Sequence, residues 1–274
     1  MEKALPYKRL EGSRRALKSL FGGASDALLS VFFPAGCRIC SKLLTRASRI
    51  PICQDCLDSF ESPLQKHCEI CGVPVSWAHA DGEPILCRAC EQHTYAFERA
   101  RSFGIYEGPL AEAILLLKWE RMEPLGAWFA ARLKEIVVRE RDFLQADLVV
   151  PVPLHRDRER HRGYNQAALL SNPLAKQLRL PHRALLLMRT RPRPNKQVLS
   201  LAERWKSVRG AFATRPGSQV DNQRVLLVDD VMTTGATLDA CARTLLESGA
   251  KSVVGLTVAR AARNPLLALG NGNL

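Results

Sequence analysis

The chain predicts an α/β fold, a parallel sheet covered by helices, behind a small cysteine-rich N-terminal module. Three observations carry this. The C-terminal half alternates strand, helix and strand patterns: "QRVLLVDD", then "GATLDACARTLLESGA", then "KSVVGLTVA". Such alternation is the signature of parallel strands joined by crossover helices. Eight of the nine cysteines fall in four CxxC pairs, all before residue 91. The chain of 274 residues, 46% hydrophobic and 24% charged, is long enough for a real core and has a globular composition.

The elements follow in order. Basic residues before "ALLSVFFPAGC" resemble the start of an export signal, but "GG", Asp26 and Pro34 interrupt it. An amphipathic helix over 13–32 is expected instead, and no apolar run reaches the length of a membrane span. The cytoplasm is the expected compartment, where paired thiols stay reduced and bind metal. From about Phe97 the pattern changes. "RARSFGIYEG" reads as a short strand pair, and "PLAEAILLLKW" and "LGAWFAARLKEIVVRE" as helices, with Pro109 and Pro124 near their starts. "ADLVVPVP" is a buried strand and "HRALLLMRT" another candidate. "YNQAALLSNPLAKQL" is a helix bent or restarted at Pro173. Residues 191–212 lack a clean period and read as a mobile loop with one helical turn. The boundaries expected are 1–32 for an N-terminal segment, 33–96 for the cysteine module, 97–263 for the α/β domain and 264–274 for a frayed tail.

Each CxxC turn presents two sulfurs to one point, and a second CxxC closes a tetrahedron around zinc. Twelve residues separate Cys40 from Cys53, and 15 separate Cys71 from Cys87. This is zinc-ribbon spacing. One site is assigned to Cys37, Cys40, Cys53 and Cys56, and the other to Cys68, Cys71, Cys87 and Cys90; spacing alone leaves an interleaved pairing open. A metal with four sulfur ligands has no place for water, so both zinc ions are structural. His67, His79 and His93 are bystanders, and Cys241 is a small buried apolar residue. Chelation is expected to unfold 33–93 and leave the sheet intact.

The stretch 225–237, "VLLVDDVMTTGAT", carries the ligand chemistry. Asp229 and Asp230 emerge at the C-terminal edge of a parallel strand, where ligands of α/β sheets bind. Successive backbone N–H groups of Met232, Thr233, Thr234, Gly235, Ala236 and Thr237 wrap an anion, and the next helix adds a favourable dipole. Acids for vicinal hydroxyls beside a monophosphate loop fit a sugar 5-phosphate. A nucleotide triphosphatase would need a G-x-x-x-x-G-K-[ST] loop upstream, and the chain has none. The formal net charge of +13 is concentrated: 155–215 holds 15 basic and 3 acidic residues, whereas 1–96 holds 12 and 10. That suits a phosphate-bearing partner, a small polyphosphate or a nucleic acid.

"VLLVDDVMTTGATL" closely resembles the phosphoribosyl-diphosphate motif of type I phosphoribosyltransferases. With the N-terminal double zinc ribbon, "VVPVPLHRDRERHRGYNQAALL" and "RPRPNKQVLSLAERWKSVRGAF", the chain resembles the ComF/GntX family over roughly 30–260. Ser207 stands near a position where that family commonly has Asn. The resemblance implies that Asp229 and Asp230 hold the ribose hydroxyls and 233–237 the 5-phosphate. It places the turn of Pro153, Leu154, His155 and Arg156 against the pyrophosphate, with charge from Arg158, Arg160 and Arg162. Residues 191–197, with Arg193, Lys196 and Gln197, are placed like the flexible catalytic loop. The implied reaction displaces pyrophosphate from C1 of ribose, with Mg2+ carried by the substrate. His155 and His161 are weak candidates for a base. A variable hood, 97–125 with the ribbons, would select an acceptor that the residues do not name. Three readings stay open: a phosphoribosyltransferase, a sensor of phosphoribosyl diphosphate or a nucleotide, and a ComF-type accessory protein handling single-stranded DNA. Oligomeric state is open, and no membrane partner is expected.

Overall fold

The computed structural model describes residues 36–44, 48–60, 66–75, 84–142, 145–192 and 200–261. The helix expected over 13–32, the tail over 264–274 and the three loop residues Arg193, Lys196 and Gln197 lie outside them. No helix among the described residues is long and apolar enough to cross a membrane.

Four parallel strands form the main sheet: β1 (Arg99–Ile105), β2 (Leu148–Pro151), β5 (Arg224–Met232) and β6 (Ser252–Arg260), in the spatial order β1-β6-β5-β2. The reason is visible in the side chains. Val225 to Val228 are 0% exposed, β2 is buried throughout, and β6 is buried from its second residue onward. A strand covered on both faces must be apolar on both. "RARSFGIYEG" is therefore not a strand pair; its first part is the single edge strand β1. A separate antiparallel ladder joins β3 (Leu187–Arg189) to β4 (Phe212–Thr214). Between them lies α7 (Leu201–Val208), where a loop with one turn was expected. Ser200 and Glu203 close a reciprocal capping box that starts this helix.

Two short helices, α1 (Gln54–Asp58) and α2 (Arg88–Gln92), lie in the cysteine-rich segment, and the covering helices are α3 (Gly108–Trp119), α4 (Glu123–Arg139), α6 (Gln166–Leu178) and α8 (Ala236–Glu247). Proline stands in the first turn of α3 and α4, where its missing N–H is harmless. Pro173 lies inside α6, which runs through it as one helix. It has no N–H for the Leu169 carbonyl four residues back. Gly126 of α4 closes on that same oxygen, so tightly that a Cβ there would lie 2.9 Å from it.

The molecule divides into two compact units, Met1–Asp58 and Ser59–Leu274. The division falls inside the segment read from sequence as one cysteine module over 33–96. The second ribbon belongs to the same unit as the sheet because it hydrogen-bonds the edge strand. Ala100 donates its N–H to the Ile70 carbonyl at 2.7 Å, and Arg101 donates to the Glu69 carbonyl at 2.9 Å. Gly72 turns at φ +67, where a Cβ would meet the Ala100 carbonyl at 2.8 Å.

Candidate functional site

β5 runs two residues past the acid pair, to Met232, and stays paired with β6 to its end. Asp229 and Asp230 are strand residues, as read from the sequence, but the strand does not end with them. Strand alternation turns them to opposite faces. Asp230 is 4% exposed and looks toward α3, where the Lys118 ammonium lies 3.2 Å from its Oδ2. The two form an ion pair, but Oδ2 accepts no hydrogen bond of good geometry. Asp229 accepts the Asp230 N–H at 2.8 Å. Its charge adds to burial in pushing the Cys241 thiol up, so that cysteine is the inert apolar residue expected.

The turn that follows is tight. Gly235 sits at φ +82 and caps α8; a Cβ there would lie 2.9 Å from both Met232 Cε and Tyr95 Cε1. Thr234 is 8% exposed, and its hydroxyl accepts the Ala236 N–H at 3.3 Å. Met232 is buried at 2% exposure. One of the expected donors, the Ala236 N–H, is thus engaged in the turn itself. Thr233 and Thr237 are more open, and Arg204 of α7 donates to the Thr233 hydroxyl at 3.2 Å.

The neighbouring strand supplies the second loop. Val152 donates to the Val228 carbonyl at 2.8 Å, which carries Pro153, Leu154 and His155 to the same sheet edge as the acid pair. Asn165 holds the Val152 carbonyl at 3.0 Å. Pro153 is buried, Leu154 and His155 are half-buried and Arg156 is exposed. His155 caps α5 (Arg156–Arg162), its Nδ1 accepting the Asp157 N–H at 3.4 Å. His161 is exposed. Of the α5 arginines, only Arg162 turns inward. It bonds Gln166 at 2.5 Å and lies 4.7 Å from the Trp119 ring centroid. Burial and the Arg158 charge lower its pKa, and Asp230 works against that. Arg158 and Arg160 are exposed.

Each cysteine tetrad has the dimensions of a zinc site. The four sulfurs of each set, Cys37/Cys40/Cys53/Cys56 and Cys68/Cys71/Cys87/Cys90, lie within 4.8 Å of one another. Cys37 and Cys56 lie 3.9 Å apart, Cys40 and Cys53 3.5 Å, and Cys71 and Cys87 3.6 Å. Zinc at about 2.3 Å from each sulfur sets tetrahedral edges of about 3.8 Å, so both sets fit. Consecutive CxxC pairs share a site, and no histidine joins either set among the described residues. Burial raises the Cys37 thiol, but N–H donors from Cys40, Cys53 and Ile39 outweigh it and bring it down to about 6. These are donors a bound thiolate uses.

Residues that sequence reasoning missed surround the turn. Lys118 lies in the last turn of α3, and Arg204 lies midway along a helix that was read as loop. Arg260, 2% exposed, closes β6 and donates to the Met232 and Thr233 carbonyls. Tyr95 donates its hydroxyl to the Thr234 carbonyl at 3.0 Å and packs with His93, Phe97 and Trp205. No local sequence signal pointed to any of them.

Comparison with known proteins agrees with this architecture. Residues 28–95 match the double zinc ribbon domain, and residues 165–266 match the phosphoribosyl transferase domain. The DNA utilization protein YhgH of Escherichia coli (strain K12) is 31% identical over 189 residues, 68% of this chain and 80% of that protein. Competence protein ComFC of Bacillus subtilis (strain 168) is 30% identical over 220 residues, 76% of this chain and 84% of that protein. A hypoxanthine phosphoribosyltransferase from Staphylococcus aureus is similar at 17% identity, with a TM-score of 0.32 over 50% of this chain and 67% of that one. Fold and motif together define a type I phosphoribosyltransferase-like α/β protein with an N-terminal double zinc ribbon. The chain belongs to the ComF family.

Proposed function

We propose that the β5–α8 turn binds the ribose 5-phosphate part of phosphoribosyl diphosphate or of a nucleotide. The observation that carries this reading is the tight turn at Gly235 directly after the buried acid pair, at the C-terminal edge of a parallel sheet. In this reading the amides of Thr233, Thr234, Gly235 and Thr237 surround the phosphate, and α8 points its N-terminus at it. Asp229 and Asp230 accept the ribose hydroxyls, with Lys118 offsetting the charge of Asp230. The loop of Pro153, Leu154, His155 and Arg156 faces the diphosphate, and Arg162 adds charge.

The activity that follows is transfer of phosphoribosyl to an acceptor with loss of pyrophosphate. The C1–O bond breaks as the acceptor bond forms, and the positive charges stabilise the departing diphosphate. Asp230 already faces Lys118, so the acid pair is not an open metal site; magnesium would enter on the diphosphate oxygens and neutralise them there. Arg193, Lys196 and Gln197 belong to this proposal as the loop that closes and excludes water.

A second reading is favoured by the relatives, named for DNA utilization and competence. In it the chain handles single-stranded DNA through the basic stretch 155–215, where Arg156, Arg158 and Arg160 are exposed along α5.

Calorimetry with phosphoribosyl diphosphate and magnesium decides between them. Binding by wild type, abolished in Asp229→Asn/Asp230→Asn, is the expected result, and absence of wild-type binding sinks the first reading. Pyrophosphate release with candidate acceptors then separates an enzyme from a sensor. A salt-dependent shift of single-stranded DNA, untouched by the aspartate changes, supports the second reading.

A further inference from the structure

Arg260 poses an electrostatic problem. A buried guanidinium is stable only when its charge is matched, yet among the described residues no carboxylate pairs with it. Its partners are carbonyls and one sulfur. Nε donates to the Cys71 carbonyl at 3.2 Å, and one terminal nitrogen reaches Cys71 Sγ at 3.7 Å. The other donates to the carbonyls of Met232 at 3.1 Å, of Ala261 at 3.3 Å and, more closely, of Thr233. The missing anion is the second cysteine cluster. Four thiolates around one divalent zinc carry a net charge of about −2, and Cys71 is one of the four.

The other side of Arg260 sets the anion loop. In a trans peptide the N–H of one residue points opposite to the carbonyl of the residue before it. Arg260 pins the Met232 and Thr233 carbonyls on the side of the cluster, and Tyr95 pins that of Thr234. Three successive carbonyls held inward aim three successive amides, of Thr233, Thr234 and Gly235, outward. Those amides form the cradle that an anion needs. Tyr95 also seats the turn, since its ring lies under Gly235.

We propose that Arg260 is a positioning residue that couples the second cysteine cluster to the anion loop. The loaded cluster supplies the charge that holds Arg260, and Arg260 with Tyr95 fixes the peptide orientations that receive the phosphate. The loop half of this proposal rests on the ribose phosphate reading given above. Coupling of this kind is reciprocal. A bound phosphate must therefore strengthen zinc binding at Cys68/Cys71/Cys87/Cys90 and leave Cys37/Cys40/Cys53/Cys56 unaffected, and slower zinc loss from the second cluster is the expected sign of it.

The test follows zinc transfer from the full chain to a chromophoric chelator. Cys40→Ser and Cys90→Ser, each lacking one cluster, assign the two kinetic phases. Without ligand, Arg260→Gln is expected to speed the second cluster's phase about tenfold, the usual scale for loss of a group supporting a metal site, and to leave the first unchanged. An unchanged second phase overturns the proposal. Ribose 5-phosphate, with its binding checked by calorimetry, is expected to slow the second phase in wild type but not in Arg260→Gln. Binding without slowing overturns the coupling and leaves Arg260 as a counter-ion alone. No binding at all overturns the loop half, while the ligand-free comparison still decides the cluster half. Should Arg260→Gln fail to fold, Arg260→Lys and Tyr95→Phe replace it. Arg260→Lys keeps the charge and loses the fork, so zinc transfer stays near wild type while ribose 5-phosphate affinity falls. Tyr95→Phe frees only the Thr234 carbonyl and weakens the ligand with zinc transfer unchanged; wild-type affinity in both variants overturns the positioning role.

Discussion

The two cysteine tetrads share one sequence pattern and have different surroundings. In the first, Cys40 is exposed and Cys53 half-buried. Its hydrogen bonds close on itself: Cys37 donates to the Lys42 carbonyl at 2.8 Å, and the Cys53 N–H to Cys37 Sγ at 3.3 Å. In the second, Cys68, Cys71, Cys87 and Cys90 are 0%, 1%, 4% and 7% exposed. They belong to the apolar core that includes Leu148, Leu227 and Ala236. Their knuckle is tied to β1 through Ile70 and Glu69, and to β6 through Arg260. A CxxC pair specifies a metal site locally. Whether that site is a self-contained knot or part of a larger core depends on long-range contacts that spacing does not encode.

The largest expected effect tests this contrast directly. A structural zinc contributes on the order of 10 kcal/mol of apparent binding free energy, comparable to the whole stability of a domain. Cys90→Ser and Cys40→Ser should each reduce zinc from two per chain to one. Cys90→Ser should also unfold or strongly destabilise the sheet and abolish ribose 5-phosphate binding. Cys40→Ser should leave the sheet's circular dichroism and the ligand titration at wild type. Equal damage from both would break the comparison. The expectation that chelation unfolds 33–93 and spares the sheet gives way accordingly, because half of that segment is packed into the sheet's own unit.

A medium effect separates strain from contact in the same unit. Gly235 and Gly163 both stand at φ +82, but a Cβ at Gly163 meets nothing within 4 Å, while one at Gly235 meets Met232 and Tyr95 at 2.9 Å. Left-handed backbone alone costs a side chain roughly 1–2 kcal/mol. Gly163→Ala should lower stability by about that and spare ligand affinity. Gly235→Ala should cost more, roughly 2–4 kcal/mol when overpacking is added, and should weaken ribose 5-phosphate binding. Equal urea midpoints for the two variants would show that Tyr95 does not seat the turn.

What was legible in the sequence was what lies close along the chain. The pattern 225–237 reads correctly because strand, acids and turn are contiguous, and the cysteine pairing reads correctly because each knuckle is four residues long. Lys118, Tyr95 and Arg260 escaped for the opposite reason. Lys118 reaches Asp230 from more than 100 residues away, Tyr95 meets Thr234 across 139, and Arg260 meets Cys71 across 189. In "GLTVARAA" the arginine reads as the polar end of a strand, the commonest place for one. The sequence reading ended the strand two residues early, at Asp230, because an acid pair looks like the end of an apolar strand even when Val231 and Met232 continue it.

The smallest effect concerns acid. Asp147 lies at the entry to β2 and receives Arg224 of β5 through Nη2 at 2.7 Å and the Arg224 N–H at 2.8 Å. The Arg224 hydrogen bonds hold its carboxyl down to about 2. A carboxyl whose folded pKa lies below its unfolded value, about 3.9, binds fewer protons folded than unfolded. Its stabilisation is therefore full above about pH 4 and is lost as pH falls toward 2. Both side chains are more than a third exposed, at 37% for Asp147 and 35% for Arg224, so solvent screens the pair and its contribution is small. Zinc also leaves thiolates in acid, so the absolute stability of either unit mixes the two causes. The difference between wild type and Asp147→Asn cancels the zinc contribution common to both. That difference in urea midpoint for the sheet unit should be constant above pH 4 and close as pH falls from 4 to 2. The first cluster's zinc retention should not distinguish the two proteins at any pH, because Asp147 and Arg224 both belong to the other unit. A midpoint difference that stayed flat down to pH 2 would mean that the pair links β2 to β5 by geometry alone, without charge.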